Sequence, residues 1–318
     1  MRHLLGGGDS PFIRPNVSRC IQENEVHYNP IPETRLIIKY NVTDDTQTTQ
    51  IYGGHYDWEK EKYVVNGAKL YNNIEIDGVD AVITEIDEAS GKYQLTSGEH
   101  TIKYTLKNQT NIDDYAFADC ATITSVNIPS SVTNIGTYAF SSCYNLINIV
   151  IPNNVTVISD GLFNSCSSLT NLIIPENVTS IGMYAFQLCS SLTSVTIPNG
   201  VTTIDIGTFQ FCSNLTSVYI PNSVTSVNTF AFSNCSHITS IVIPNNVTSI
   251  GPNAFENCSS LASITSNADT APSIDIYTFN NVNTGGTLYV PQGSTGYDVW
   301  MGTGDYYLGK YGWTKVEQ

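Results

Sequence analysis

Across residues 112–290 the apolar positions fall into columns that repeat every 23 residues. Pro129, Pro152, Pro175, Pro198, Pro221 and Pro244 are in phase, and so are Cys120, Cys143, Cys166, Cys189, Cys212, Cys235 and Cys258. A third column is Phe117, Phe140, Phe163, Phe186, Phe209, Phe232 and Phe255. One unit shows what the pattern predicts. Val218 and Ile220 alternate with Ser217 and Tyr219, the period-2 signature of a half-buried strand. Pro221 ends that strand because it has no N–H to donate. Val224 and Val227 form a second apolar pair turned to the core. The next column reads Gly136, Ser159, Gly182, Asp205, Asn228, Gly251, residues that tolerate positive φ, so a tight turn with a left-handed residue is expected there. Phe and Cys follow three apart, the spacing of one helical turn.

No single unit can bury its apolar edge, so the units must stack, each covering the next. Seven units at ~4.8 Å per strand give a stack roughly 30–35 Å long. The Phe column is then a core spine. The Cys column is read as small buried thiols. Stacked equivalents sit a strand spacing apart with parallel Cβ vectors, which suits neither a disulfide nor a tetrahedral metal site.

The unit Leu-x-x-Val-x-Ile-Pro-x-x-Val-Thr-x-Ile-Gly-x-x-Ala-Phe-x-x-Cys, seen with small departures from Leu192 to Cys212, resembles the BspA-like (Treponema-type) leucine-rich repeat. The resemblance runs from about Ile112 to Val290. It implies a right-handed leucine-rich-repeat solenoid with a β-strand and a turn or short helix per repeat. It also implies a surface or secreted protein that adheres to host matrix proteins or other cells. It carries over no active-site residue.

The rest of the chain follows other patterns. Residues 1–19 are expected to be a disordered tail. Residues 20–108 lack the 23-residue phase, and Arg35–Val42, Lys92–Leu95 and His100–Leu106 alternate as strands, with turn signals at Gly53-Gly54 and Asp77-Gly78. A small β-sandwich-like domain, Ig-like or similar, is predicted there. Counting back one period from Pro129 reaches Leu106, so His100–Leu106 is expected to be the first rung of a solenoid spanning 109–290 in seven to eight units, with a rigid junction. The last unit departs from the pattern: Ser266 replaces an expected Ile, and Phe279 falls 24 residues after Phe255. Residues 291–318, with Tyr297, Trp300, Tyr306, Tyr307, Tyr311 and Trp313, are expected to cap the open core. A sugar site on these rings is the alternative.

Charge narrows the partners. The formal net charge is −15, and only 13% of residues are charged, about half the usual ~25%. Between Lys107 and Lys310 there is no Lys or Arg. Nucleic acid and anionic membranes, which reward basic surfaces, are excluded as partners. No apolar run reaches the ~18 residues of a membrane span. Met1–Gly8 holds no apolar h-region, so no signal peptide is expected. Cys20 follows Asn16-Val17-Ser18-Arg19, which is not a lipoprotein anchor sequence.

Chemistry for catalysis is missing. His100 and His237 have no recognised nucleophile setting, and no H-E-x-x-H, P-loop or G-x-S-x-G occurs. Glu75–Asp80 lacks calcium-loop spacing. No cofactor or metal is expected, and the chain is read as a non-enzyme. What the repeat does display is a sheet face. One outward column reads Asn127, Val150, Ile173, Thr196, Tyr219, Val242, Thr265. Its neighbour reads Ser125, Asn148, Asn171, Ser194, Ser217, Ser240, Ser263. A Ser/Asn column is ordinary solvated sheet, whereas apolar residues beside it mark interaction surfaces or simple β-propensity. Asn148, Val150, Asn171, Ile173, Tyr219 and Val242 are the candidate ligand-binding residues. Two functions stay open: adhesion to a host matrix or cell-surface protein or a glycan, from the cell surface or as a secreted protein, and a structural spacer or virion or envelope component. A capped stack of this kind can be a monomer.

Overall fold

Alternation decides the N-terminal strands. Leu36, Ile38, Tyr40 and Val42 of strand Leu36–Val42 point inward, as do His100, Ile102, Tyr104 and Leu106 of strand Gly98–Leu106. The two pair antiparallel, with Ile38 opposite Ile102. Tyr71–Ile76 pairs on the far side of Gly98–Leu106, and its hairpin partner Val79–Asp80 follows an Asp77-Gly78 turn with both residues at positive φ. A short ladder, Thr49–Gln50 with Lys92–Tyr93, leads into Ile51, whose buried carbonyl accepts from the Tyr40 and Tyr104 hydroxyls at 2.8 and 2.6 Å. The computed structural model describes residues 35–43, 49–51, 54–57, 62–65, 71–80, 92–170, 172–304 and 306–318, all within one unit, Glu33–Gln318. The expected tail at 1–19, Cys20 and the candidate Asn171 lie outside the described residues.

The junction differs from the expectation. The first solenoid strand, Ile123–Asn127, pairs antiparallel with Leu36–Val42, not with Gly98–Leu106. Both edges of Gly98–Leu106 are already taken by Leu36–Val42 and Tyr71–Ile76, so it cannot also be a rung. Only the second, smaller ladder keeps the 23-residue phase back to this point, where Asn111–Ile112 pairs in parallel with Asn134–Ile135. One sheet therefore runs from Val79–Asp80 through Leu36–Val42 to Asn148–Val150 without a break.

Beyond the junction the chain is a solenoid of parallel rungs. The Phe column stacks face to face from Phe117 to Phe279, with centroid separations from 5.3 to 6.1 Å. It is closed by aromatics at both ends. Tyr104 lies 5.3 Å from Phe117, and Trp300 lies 5.2 Å from Phe279. The N-terminal sheet is thus the cap on the first turn's core. The cysteines have a second role besides filling space. Each thiol from Cys143 to Cys258 donates to the carbonyl of the Phe 26 residues earlier, as Cys212 Sγ does to Phe186 O at 3.1 Å. The backbone N–H of Cys189 donates to that same Phe186 carbonyl at 3.2 Å. One buried carbonyl therefore holds both its own turn and the next.

Two local expectations fail. The Phe-to-Cys segment is a run of tight turns with no α-helix, and helical structure among the described residues is the 3-10 segment Leu308–Tyr311. The left-handed residues are the cause. They sit not in the Gly136 column but two and six residues later, at Tyr138, Tyr184 and Phe230 and at Ser142, Leu188 and Asn234. A φ near +57° on either side of each Phe breaks any helical run. The glycines of the Gly136 column answer to another constraint. Its N–H groups reach the turn before, Gly136 to Ile112 O and Gly251 to Val227 O, both at 2.8 Å. A Cβ at Gly136 would run into the backbone of Asp114. At Gly161, which shares the positive φ of Tyr138 and Tyr184, the lack of a Cβ is what matters, because the Tyr138 ring lies against it.

The C-terminal aromatics act as a cap. Tyr297, Trp300 and Trp313 are buried, and the Trp300 and Trp313 indole N–H groups donate to Pro272 O and Asn283 O at 3.0 and 2.7 Å. The Ser at 266 has its reason here: the Tyr297 hydroxyl enters the core and lies 2.7 Å from Ser266 Oγ and 2.8 Å from Ala268 O. An Ile would leave that hydroxyl one contact fewer and no room. A final strand, Thr314–Glu317, then adds in parallel to Thr287–Val290.

Candidate functional site

The outward sheet face is built by the same alternation that builds the core. In Asn148–Val150, Ile149 is buried while Asn148 and Val150 face solvent. Ser194–Thr196 and Ser240–Ile243 repeat this, and in Ser217–Tyr219 the central Val218 is half-buried. Parallel register stacks equivalents directly: Ser125 beside Asn148, Asn127 beside Val150, Thr196 beside Tyr219, Val242 beside Thr265. At these rungs the two columns face outward, and Val150, Tyr219 and Val242 are 60, 57 and 49% exposed. Ile173 is more exposed still, at 83%. Its segment, 172–174, forms no ladder, and the rungs on either side of it belong to separate sheets.

The apolar column runs further than its sequence period. Thr265 pairs with Tyr289 and Tyr289 with Val316, so both continue the line of Val242. They escape the 23-residue count because one residue is inserted before Tyr289 and the cap before Val316. Tyr144 and Ile147 are also exposed and lie just before the Asn148–Val150 strand. The signal for Tyr144 was present: it is the one aromatic in a column otherwise of Ala121, Ser167, Ser190, Ser213, Ser236 and Ser259. At the N-terminal end the same face carries charge. Glu75 accepts from Arg35 at 2.7 Å and lies 3.2 Å from Lys103. The hydrogen bond from Arg35, then that from Lys103, hold its carboxyl below the usual carboxylate range.

Groups with chemical potential elsewhere are spent on structure. Burial pushes the stacked thiols up, Cys189 and Cys258 to about 12, so they are protonated and inert at neutral pH. His100 Nδ1 lies 2.6 Å from Asp77 Oδ2, and Nε2 lies 2.8 Å from the Thr96 carbonyl. The arrangement has the outline of a catalytic relay with Thr96 Oγ1 3.5 Å away. Both ring nitrogens face acceptors, however, so the arrangement favours the doubly protonated ring over the neutral one. Burial pulls the His100 pKa down, but the Asp77 and Thr96 hydrogen bonds and the Asp77 charge outweigh it and the net shift is upward. Among the described residues no cluster of three or more His, Cys, Asp or Glu could hold a metal ion. No helix among them is long and apolar enough to cross a membrane.

The BspA type leucine rich repeat region model matches six copies over residues 100–216 and 179–296, more than half of the chain. No curated protein matches. Among solved structures, a leucine rich cell surface protein from Faecalibacterium prausnitzii A2-165 is 31% identical over 59% of this chain and 60% of its own, with TM-score 0.48. A leucine-rich repeat protein from Bacteroides ovatus is 26% identical over 59% of this chain and likewise 60% of its own, with TM-score 0.37. The leucine rich repeat protein of T. pallidum is 30% identical over 48% of this chain and 71% of its own, with TM-score 0.43.

Proposed function

Because the chain belongs to the BspA-type leucine-rich repeat family, we propose that it is a non-catalytic binding protein whose outward sheet face docks a protein partner. The observation that carries this is the exposed apolar set Val150, Ile173, Tyr219 and Val242, interrupted by Thr196 and lying beside a column of Ser and Asn. Contiguous exposed apolar side chains are the usual mark of an interaction surface. Tyr144 and Ile147 widen the column at one end, and Tyr289 and Val316 lengthen it at the other. Asn148 and Ser217 beside it supply adaptable hydrogen bonds. The ligand class favoured is a host matrix or cell-surface protein over a glycan. The bulky cap rings a sugar would stack on, Trp300 and Trp313, are buried and their N–H groups already donate to backbone carbonyls. A cell-surface or secreted location is part of the same proposal and rests on family membership.

Binding of the purified protein to immobilised matrix proteins and to cultured epithelial cells tests the assignment. The double variant Ile173→Ser, Tyr219→Ser should lose at least about tenfold in affinity, since each loses an apolar anchor of ~1–2 kcal/mol. Its thermal melt should match the wild type, because both side chains face solvent. Undiminished binding by the variant would remove the face as the site. A wild type that binds none of these surfaces would favour the spacer role instead.

A further inference from the structure

The cap closes the core but leaves the backbone edge of the sheet open. Thr314–Glu317 pairs on one side with Thr287–Val290, and among the described residues no strand lies on its other side. All four of its residues are exposed. The direction of its free backbone groups follows from its bonds. Thr314 N donates to Gly286 O and Gln318 N to Val290 O, each at 3.0 Å, and Gln318 O accepts from Gln292 N at 3.2 Å. In a strand, successive residues turn their N–H and C=O to opposite sides. Thr314, Val316 and Gln318 therefore serve the solenoid, and Lys315 and Glu317 turn their backbone groups to the open edge.

We propose that this edge pairs antiparallel with the same strand of a second copy, about a two-fold axis at Val316. Antiparallel pairing requires each outward-turned residue to face another. Three two-fold registers satisfy this for Lys315 and Glu317. Centring on Lys315 opposes Lys to Lys, and centring on Glu317 opposes Glu to Glu. Centring on Val316 opposes Lys315 to Glu317 of the second copy, twice, with Val316 against Val316 between them. Directly opposed charges on one face attract when unlike and repel when alike, so one register survives.

The same residues exclude the alternative of endless stacking. Lys315 and Glu317 sit beside Leu288 and Val290, whose side chains are buried. They therefore point to the core side, where Lys315 lies 3.3 Å from Asp298 and 3.9 Å from Glu317. A further parallel turn would bring apolar core residues against these charges, which is unfavourable. The two-fold pair closes instead of propagating. It also joins the outward columns of two molecules, Tyr289 and Val316 of one running on to Val316 and Tyr289 of the other. The contact is small, so the dimer is weak and concentration-dependent.

Sedimentation velocity over a concentration series tests this, together with oxidative cross-linking. Wild type should dimerise reversibly. Glu317→Lys should weaken association about tenfold or more, and the swap Lys315→Glu, Glu317→Lys should restore it. In a non-hydrogen-bonded antiparallel pair the Cα atoms are ~4.5 Å apart, within disulfide reach. Val316→Cys should therefore cross-link to a covalent dimer on mild oxidation, and Thr314→Cys should not, with wild type as the control for native cysteines. A wild type that is monomeric at every concentration, a Glu317→Lys variant that dimerises unchanged, or a folded charge swap that stays monomeric would each overturn the register.

Discussion

Replacing Phe186 by Ala tests whether the aromatic column is what holds the stack together. Phe186 is fully buried, with its ring 5.7 Å from Phe163 and 5.4 Å from Phe209, near parallel to both. Truncating a buried Phe costs ~3–5 kcal/mol, which includes the cavity left behind. Each ring pair adds ~0.5–1.5 kcal/mol beyond area burial. Two pairs are lost here, and the neighbouring rings cannot close the gap because their own turns fix them. The backbone bonds persist: Phe186 N still donates to Thr208 O, and Phe186 O still accepts from Cys189 N–H and Cys212 Sγ. The expected loss is therefore entirely one of packing, about 5 kcal/mol. Phe186→Leu keeps most of the apolar volume and loses the stacking, about 2 kcal/mol. Urea unfolding followed by far-ultraviolet circular dichroism measures both. In a solenoid each turn contacts only its neighbours. Hydrogen exchange should accordingly show loss of protection spreading from the Phe186 turn before the N-terminal sheet. An alanine variant within about 1 kcal/mol of the wild type would refute the spine and leave the backbone ladders as the main source of stability.

Two further outcomes follow from buried polar groups. The seven stacked thiols, Cys120 to Cys258, should not react with a thiol reagent at pH 8 in the native protein and should all react in denaturant, because burial holds them protonated; rapid native labelling of any of them, mapped by mass spectrometry, would show that the core opens. His100 and Asp77 should make stability depend on pH. The raised His100 pKa gives stability that is complete below its unfolded value of ~6.5 and is lost as pH rises through the folded value. For Asp77, burial raises the pKa, but the Thr101 N–H and His100 bonds and the His100 charge bring it below normal. Its contribution is present above ~3.9 and is lost as pH falls through the lower folded value. The melting-temperature gap between wild type and His100→Gln should therefore be widest near pH 5 and narrow as pH rises above ~6.5, and a gap independent of pH would contradict the pairing.

The core of this protein was legible in its sequence and the turns were not, for a physical reason. Stacking forces equivalent residues into identical surroundings, so Phe117 to Phe255 and Cys120 to Cys258 had to repeat in type. The left-handed backbone at these turns is met by residues as different as Tyr, Gly and Phe. Tyr138, Gly161, Tyr184, Gly207 and Phe230 occupy one such column, and nothing in that series announces a positive φ. The Gly136 column carried the residue types of a left-handed turn, but at its glycines what matters is the close approach of the turn before. The junction failed similarly. A count of 23 locates Ile112 and Phe117 correctly, yet it cannot see that Leu36–Val42 returns from far away in sequence to pair with Ile123–Asn127.

The proposed binding surface lies in the departures from the repeat. Outward columns feel solvent and little else, so Ser and Asn persist there unless something else acts on them. Val150, Tyr219 and Val242 were found because they interrupt such a column at the expected interval. Tyr289 and Val316 extend it and were missed, because an insertion and the cap shift them out of phase while the ladder keeps them in line. At the last strand the rule inverts. Lys315 and Glu317 stand beside Leu288 and Val290, whose side chains are buried in the core. Charge at these positions disfavours a further apolar turn, and its order along the strand decides which surface is able to meet it.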